Sequence, residues 1–150
     1  MKKISFHFKY ASFTLRKRKF LKKFLENVIK MEGGKLSKIE IIFCDDEYLL
    51  TLNQKFLKHN YHTDILTFDL SISDVIVGEM YLSVPRIRAN ALTYNSTLKD
   101  ELHRVLFHGV LHLCGYTDNT NLKRKMMEKL QDGYVLDYNN LLKNVPRGTS

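Results

Sequence analysis

The chain holds two cysteines in 150 residues, Cys44 and Cys114, which is too few for a disulfide framework. Each sits in an apolar segment, so buried free thiols in a reducing compartment are expected. No apolar run is long enough to span a bilayer, and no apolar segment follows Met1-Lys2-Lys3 as a secretory signal would require. The expectation is a cytoplasmic chain with no membrane partner. Acidic residues are scarce at the start. Residues 1–38 hold two, Glu26 and Glu32, against 12 Lys/Arg, a net of +10. Residues 39–150 hold 12 basic and 14 acidic residues, a net of −2. This asymmetry points to a surface that faces a polyanion. Its densest part is Arg16, Lys17, Arg18 and Lys19, followed by Lys22 and Lys23. A patch that tracks phosphates would bind in a salt-dependent way. Neither an internal repeat nor a linker interrupts the chain, and its length fits one domain, 1–150, with its own core.

Hydropathy patterning supplies the elements. Residues 4–10 alternate and predict a strand, and 16–31 predict a basic amphipathic helix with Phe20, Phe24, Leu25, Val28 and Ile29 inward. A second strand is expected over Ile39 to Cys44, then a helix capped by Asp45 or Asp46 that runs to about Leu57. A loop with His59, Asn60, Tyr61 and His62 leads to a third strand, Thr63 to Asp69. Residues 72–77 read as a loop or hairpin end before a fourth strand, Gly78 to Ser83. Pro85 starts a further helix well. Two more are expected, at about 97–114 and 120–132 or beyond, followed by a frayed tail over 141–150. The third and fourth strands have no helix between them, so the pattern is not a strict βαβ alternation. The expected fold is α+β, a mixed sheet of about four strands packed with helices.

One stretch carries chemistry. His108-Gly109-Val110-Leu111-His112-Leu113-Cys114-Gly115-Tyr116-Thr117-Asp118 has the form H-x-x-x-H-x-x-G-x-x-D. Histidines four apart share one face of a helix and can reach one ion. Gly115 can end the helix through a left-handed turn, so that Asp118 closes the site from the other side. Three protein ligands leave a position for water, the layout of a catalytic metal. Leu98, Leu102, Val105, Leu106, Gly109, Val110 and Leu113 form an apolar stripe, with both histidines at its edge beside Glu101 and Arg104. The arrangement is zincin-like, but position 109 is Gly where the metzincin proteases carry a Glu general base. Peptidase chemistry is therefore not expected. Cys114 is a weaker ligand candidate than Asp118.

These blocks resemble the YbeY family of metal-dependent endoribonucleases. Residues 108–116 match its core H-G-x-L-H-L-x-G-Y. Leu52-Asn53-Gln54-Lys55-Phe56 and Thr63-Asp64-Ile65-Leu66-Thr67-Phe68 match its L-N-x-x-[YF] and T-[DN]-V-L-[ST]-F blocks. Gly78-Glu79-Met80-Tyr81-Leu82-Ser83 is similar to its G-D-I-x-I-S strand, and the likeness covers about residues 39–130. Two positions depart from the pattern. Asp118 stands where the family has a histidine ligand, which leaves a divalent ion at +1 and its bound water less acidified. Leu57 stands where the family has an arginine after [YF], so a phosphate clamp is missing there. Lys58, His59, His62 and Arg86 are candidates to supply that charge.

The resemblance implies a single-strand-directed endoribonuclease that matures the 3′ end of small-subunit ribosomal RNA and acts in ribosome quality control. Its partners would be ribosomal RNA and the small ribosomal subunit. Zn2+, one per chain, suits two histidines and a carboxylate, with nickel or manganese as alternatives. His59 and His62 are candidate general acid/base groups, since histidine titrates near neutral pH. Asp64 reads as a structural hydrogen-bonder at the strand entrance. Two other functions compete: a non-catalytic ribosome assembly factor with a structural metal, and a zinc hydrolase of another class.

Overall fold

The computed structural model describes residues 2–145, and among these the apolar patterns resolve into four strands and five helices. In chain order they are β1 (Ile4–Phe8), α1 (Arg18–Met31), β2 (Lys35–Cys44), α2 (Asp46–Leu57), β3 (Ile65–Asp69), β4 (Val75–Ser83), α3 (Val84–Thr93), α4 (Leu98–Leu113) and α5 (Asn121–Leu142). Side-chain caps explain where most helices begin. Asp45 accepts from the Tyr48 N–H, Ser83 from Arg86, Thr97 from Asp100 and Thr120 from Lys123. Each such cap is worth roughly 1 kcal/mol. Helix α1 has no side-chain cap and starts after Lys17, which is left-handed at φ 58°. The helix therefore begins two residues later than its basic run.

The sheet order is β1-β2-β4-β3. Strand β2 runs parallel to both β1 and β4, while β3 pairs antiparallel with β4 as a hairpin partner. The α+β mixed sheet is thus the one expected. Two strands are longer than the patterns implied. Lys35 pairs with Val75 and Leu36 with Ile76, across a bulge before Lys38. Residues 35–38 are largely polar and become strand by pairing with β4, whereas Val75, Ile76 and Val77 are β-branched residues suited to a strand in their own right. Strand β1 stops at Phe8 rather than residue 10, and β3 starts at Ile65 rather than Thr63. Helix α5 continues past 132 to Leu142, because Tyr134 and Tyr138 bury against Phe24 and Phe107. The expected tail over 141–150 is therefore helical at its first two residues, and 146–150 lie outside the described residues.

Strand alternation separates two cores. Ile39, Ile41, Phe43, Met80 and Leu82 face α1 and α4, with α5 outside them. Cys44, Leu66 and Tyr81 face the opposite way, under Leu49 and Leu52 of α2. Cys44 is fully buried and burial pushes its thiol up to about 12, which fits the inert thiol expected from sequence.

Helix α4 lies unusually close to the sheet. A Cβ on Gly109 would stand 2.6 Å from Met80 Cε, 2.7 Å from Ile65 Cδ1 and 3.2 Å from Thr67 Oγ1. Gly78 on β4 faces the same helix, and a Cβ there would meet both Leu113 methyls at 2.8 Å. Gly109 is therefore the contact point between helix and sheet. Overpacking such a contact costs roughly 1–3 kcal/mol. Gly109→Val is expected to lower the unfolding free energy by an amount in that range and so to lower the urea midpoint, read by circular dichroism. An unchanged midpoint would contradict the close approach.

Candidate metal centre

The close seating of α4 places its last two turns beside the edge strand β3. His108 and His112, one turn apart, project from the same face with their Nε2 atoms 3.0 Å apart. Asp118 returns from the loop after α4 with Oδ2 at 3.5 Å from His108 Nε2 and 3.6 Å from His112 Nε2. Gly115 makes this return possible at φ 105°, a conformation that side-chain-bearing residues avoid. The loop is held at several points. The Tyr116 N–H donates to the Leu111 carbonyl at 3.1 Å, and the Tyr116 hydroxyl donates to Glu32 at the end of α1. Arg124 Nη1 donates to the Asp118 carbonyl at 3.3 Å.

Both imidazoles are oriented from behind. His108 Nδ1 donates to Gln131 Oε1 at 2.8 Å, and His112 Nδ1 donates to the Tyr116 carbonyl at 3.0 Å. With Nδ1 carrying the hydrogen on each ring, both Nε2 atoms present bare lone pairs to each other and to a carboxylate. Burial holds the His108 pKa below the ordinary histidine range, with His112 adding to the effect. Three electron-rich atoms in this contact repel one another unless a cation lies between them. The spacing fits one. Two ligand atoms about 2.0–2.1 Å from a zinc at the tetrahedral angle stand roughly 3.3–3.4 Å apart. The observed separations of 3.0, 3.5 and 3.6 Å bracket that value. Among the described residues, His108, His112 and Asp118 form a group that can hold a metal ion.

Two recesses meet at these ligands. One, of about 190 Å³, lies between α4 and α5 and is lined by Arg104, His108, Asp118, Arg124, Gln131 and Asp64 among others. The second opens along β3, past Thr63, Asp64, Thr67, Asp69, His108 and His112. Asp64 borders both. Its carboxylate accepts from Asn90 Nδ2 at 3.3 Å, and burial raises its pKa above the ordinary carboxylate range against the pull of His108. Arg104 is fixed by two hydrogen bonds of 3.0 Å to the buried Glu101 carboxylate. Glu101 is therefore a paired core group and not a helix-edge acid.

Other candidates from the sequence fall elsewhere. His59 stacks on Tyr61 at 5.1 Å and accepts from its hydroxyl at 3.0 Å. His62 Nδ1 and Arg86 both bind the Asp46 carboxylate, Arg86 through two nitrogens at 3.2 and 2.7 Å. Burial alone would raise the Asp46 carboxyl. The Arg86 and Ser83 hydrogen bonds and the charges of Arg86 and His62 outweigh it and hold the pKa low. Lys58 is the left-handed residue that ends α2, and Leu57, in the position of the missing arginine, is 42% exposed. None of His59, His62, Lys58 and Arg86 lines either recess. Neither do Arg16, Lys17, Arg18, Lys19, Lys22 and Lys23. Arg18 instead lies 4.3 Å from the Phe8 ring centroid and Lys22 5.4 Å from that of Phe6. Burial lowers the Lys22 pKa, and the charges of Lys2 and Arg18 add to this.

Sequence reasoning missed Gln131, Arg104 and Arg124 as parts of the site. Gln131 had a signal, being a polar residue on the same α5 face as Met127, Tyr134 and Tyr138, and it is 3% exposed. Asn53 explains part of the L-N-x-x-F block. It is buried, and its Nδ2 donates to the Tyr61 carbonyl at 2.9 Å, which pins the loop that delivers Asp64.

Comparison with known proteins gives concordant matches in sequence and in fold. The family described as endoribonuclease YbeY matches residues 4–139. An endoribonuclease YbeY of Cytophaga hutchinsonii is 44% identical over 123 residues, 81% of this chain and 86% of that protein. One of Flavobacterium psychrophilum is 39% identical over 129 residues, 86% and 91% of the two chains. A solution structure of a Thermotoga maritima protein superposes with a TM-score of 0.66 at 31% identity, covering 95% of this chain and 93% of that one. Partners that orient metal-binding histidines typically contribute about 10–100-fold to affinity. Gln131→Met, which keeps the volume but not the acceptor, is expected to weaken metal binding by that factor in a chelator competition titration.

Proposed function

The chain belongs to the YbeY family of endoribonucleases, and on that basis we propose that it is a metal-dependent, single-strand-directed endoribonuclease. Its substrate is ribosomal RNA, with a role in maturing the 3′ end of the small-subunit RNA and in ribosome quality control in the cytoplasm. The observation that carries this reading is the His108, His112 and Asp118 set opening onto a recess lined by Arg104 and Arg124. Cationic guanidinium groups beside a metal site suit a phosphodiester better than a peptide. No helix among the described residues is long and apolar enough to cross a membrane.

Zn2+ is the favoured ion for two histidines and a carboxylate, with nickel and manganese as alternatives, and it would supply Lewis acidity at the scissile phosphate. The chain's residues do the rest. Gln131 and the Tyr116 carbonyl keep both Nε2 lone pairs facing inward. Arg124 offers charge at the mouth of the recess, taking the part of the family arginine absent at Leu57, while Arg104, paired with Glu101, lines the α4 side. Asp64 borders both recesses beside the ligands and is the carboxyl assigned to exchange a proton with the reacting oxygens. His59 and His62 serve that role only if their loop closes over β3. The basic face of Arg16 to Lys23 contributes RNA contacts away from the reacting phosphate.

A chelator-sensitive cleavage assay on single-stranded RNA tests the proposal. Chelation and His112→Ala are both expected to abolish cleavage and bound metal. Cleavage that survives both would refute a catalytic metal and favour a ribosome assembly factor whose metal is structural. Arg124→Ala is expected to weaken RNA binding and to reduce the slope of log affinity against log salt by about one, as loss of one phosphate contact does. An unchanged slope would remove Arg124 from the RNA path.

A further inference from the structure

Nine consecutive residues, 54–62, are exposed where α2 ends and the chain turns toward β3. The stretch carries three rings, Phe56, His59 and Tyr61, and Phe56 and Tyr61 are each 57% exposed. A single exposed ring needs no explanation, but two of these are organised. The His59 and Tyr61 rings lie nearly parallel, 18° apart in plane with centroids at 5.1 Å. The Tyr61 hydroxyl also donates to His59 Nδ1 at 3.0 Å.

The backbone beneath the pair is fixed. Lys58 turns the chain in the left-handed region at φ 55°. The His59 N–H donates to the Asn53 carbonyl at 3.2 Å, and Asn53 Nδ2 donates to the Tyr61 carbonyl at 2.9 Å. Asn53 is 1% exposed, so both bonds tie the loop to the core while its rings stay in solvent. Charge around the rings has one sign. Residues 54–62 contain Lys55 and Lys58 and no acidic residue. Open aromatic faces beside cations suit a single nucleic-acid strand, whose bases stack on rings and whose phosphates meet lysines. The loop also lies beside the metal recess. Tyr61 is two residues from Thr63, and so no more than about 7 Å from it between α-carbons. Thr63 and Asp64 line the recess that His108, His112 and Asp118 border.

We propose that the His59–Tyr61 stack is a platform for one unpaired base of the RNA, held next to the metal recess, with Lys55 and Lys58 meeting the flanking phosphates. The proposal rests on the RNA-cleaving reading above and supplies a means of selecting a single strand. In a duplex each base is covered on both faces by its neighbours, whereas an unpaired base can turn out and stack on a side-chain ring.

The test is binding of fluorescein-labelled strands to the full chain, read by fluorescence anisotropy. The probes are an oligoadenylate 2′-O-methylated to block turnover, a strand of the same length with abasic sugars, and the duplex of the first with its complement. Tyr61→Leu is expected to weaken binding of the base-bearing single strand at least about fivefold, as loss of one stacked base does. It is expected to leave the abasic strand and the duplex unchanged. Tyr61→Phe keeps the ring and is expected to bind as the parent does. Equal binding of the base-bearing strand by the parent and Tyr61→Leu overturns the proposal and leaves the platform to a protein partner. A loss shared by the abasic strand overturns it too, since that loss does not involve a base. Cleavage of single-stranded RNA is assayed on the same preparations. Base-dependent binding without cleavage is the failure of the endoribonuclease reading alone. Cleavage with an affinity indifferent to Tyr61 refutes the platform alone.

Discussion

Helix α4 rests on the sheet with no side chain at position 109 to hold it off, and the whole site depends on that contact. Met80 and Ile65 occupy the space a Cβ would need. Raising the helix would carry His108 and His112 away from β3 and open the recess that Asp64 and Asp118 now border. The same contact accounts for an absent residue. The general base that metzincins place directly after their first histidine would here point into the sheet. Gly109 thus departs from peptidase chemistry for a packing reason as well as a chemical one, and the two reasons are one geometry.

Orientation is built around that seat in layers. Gln131 on α5 and the Tyr116 carbonyl in the following loop fix the imidazoles, and Glu32 at the end of α1 fixes Tyr116. Glu32 also accepts from Tyr134, so one carboxylate ties α1, the ligand loop and α5 together. Two helices distant in sequence, α1 and α5, thereby share the task of holding one loop. Asp118 in place of a neutral ligand would lower the charge of a bound metal, and Arg124 offers positive charge beside it, while Arg104 is paired with Glu101. This compensation is spatial, since Arg124 does not occupy the position of the arginine lost at Leu57.

Charge and chemistry are separated along the molecule. The cations of the first third lie on α1 and the segment before it, with aromatic rings beneath Arg18 and Lys22, and they do not line the metal recesses. A long single strand can span both regions, with backbone contacts along α1 and the reacting phosphate at α4. Affinity and bond cleavage would then rest on different elements, which is common where phosphate contacts position and another set of groups acts.

Much of this was legible in the residues themselves. The helix and strand periods, the side-chain caps and the H-x-x-x-H-x-x-G-x-x-D run are local, so hydropathy and spacing specify them and the three candidate ligands directly. Only the tertiary structure decided the rest. The polar residues 35–38 become strand because β4 supplies their hydrogen bonds, whereas the β-branched residues 75–77 carried a strand signal of their own. Arg86 looked available in sequence, yet Asp46, forty residues away, takes it, while Arg124, which looks like an ordinary helix-surface charge, lines the recess. Burial and pairing of a charge depend on elements far apart in the chain, so spacing along the chain carries no record of them.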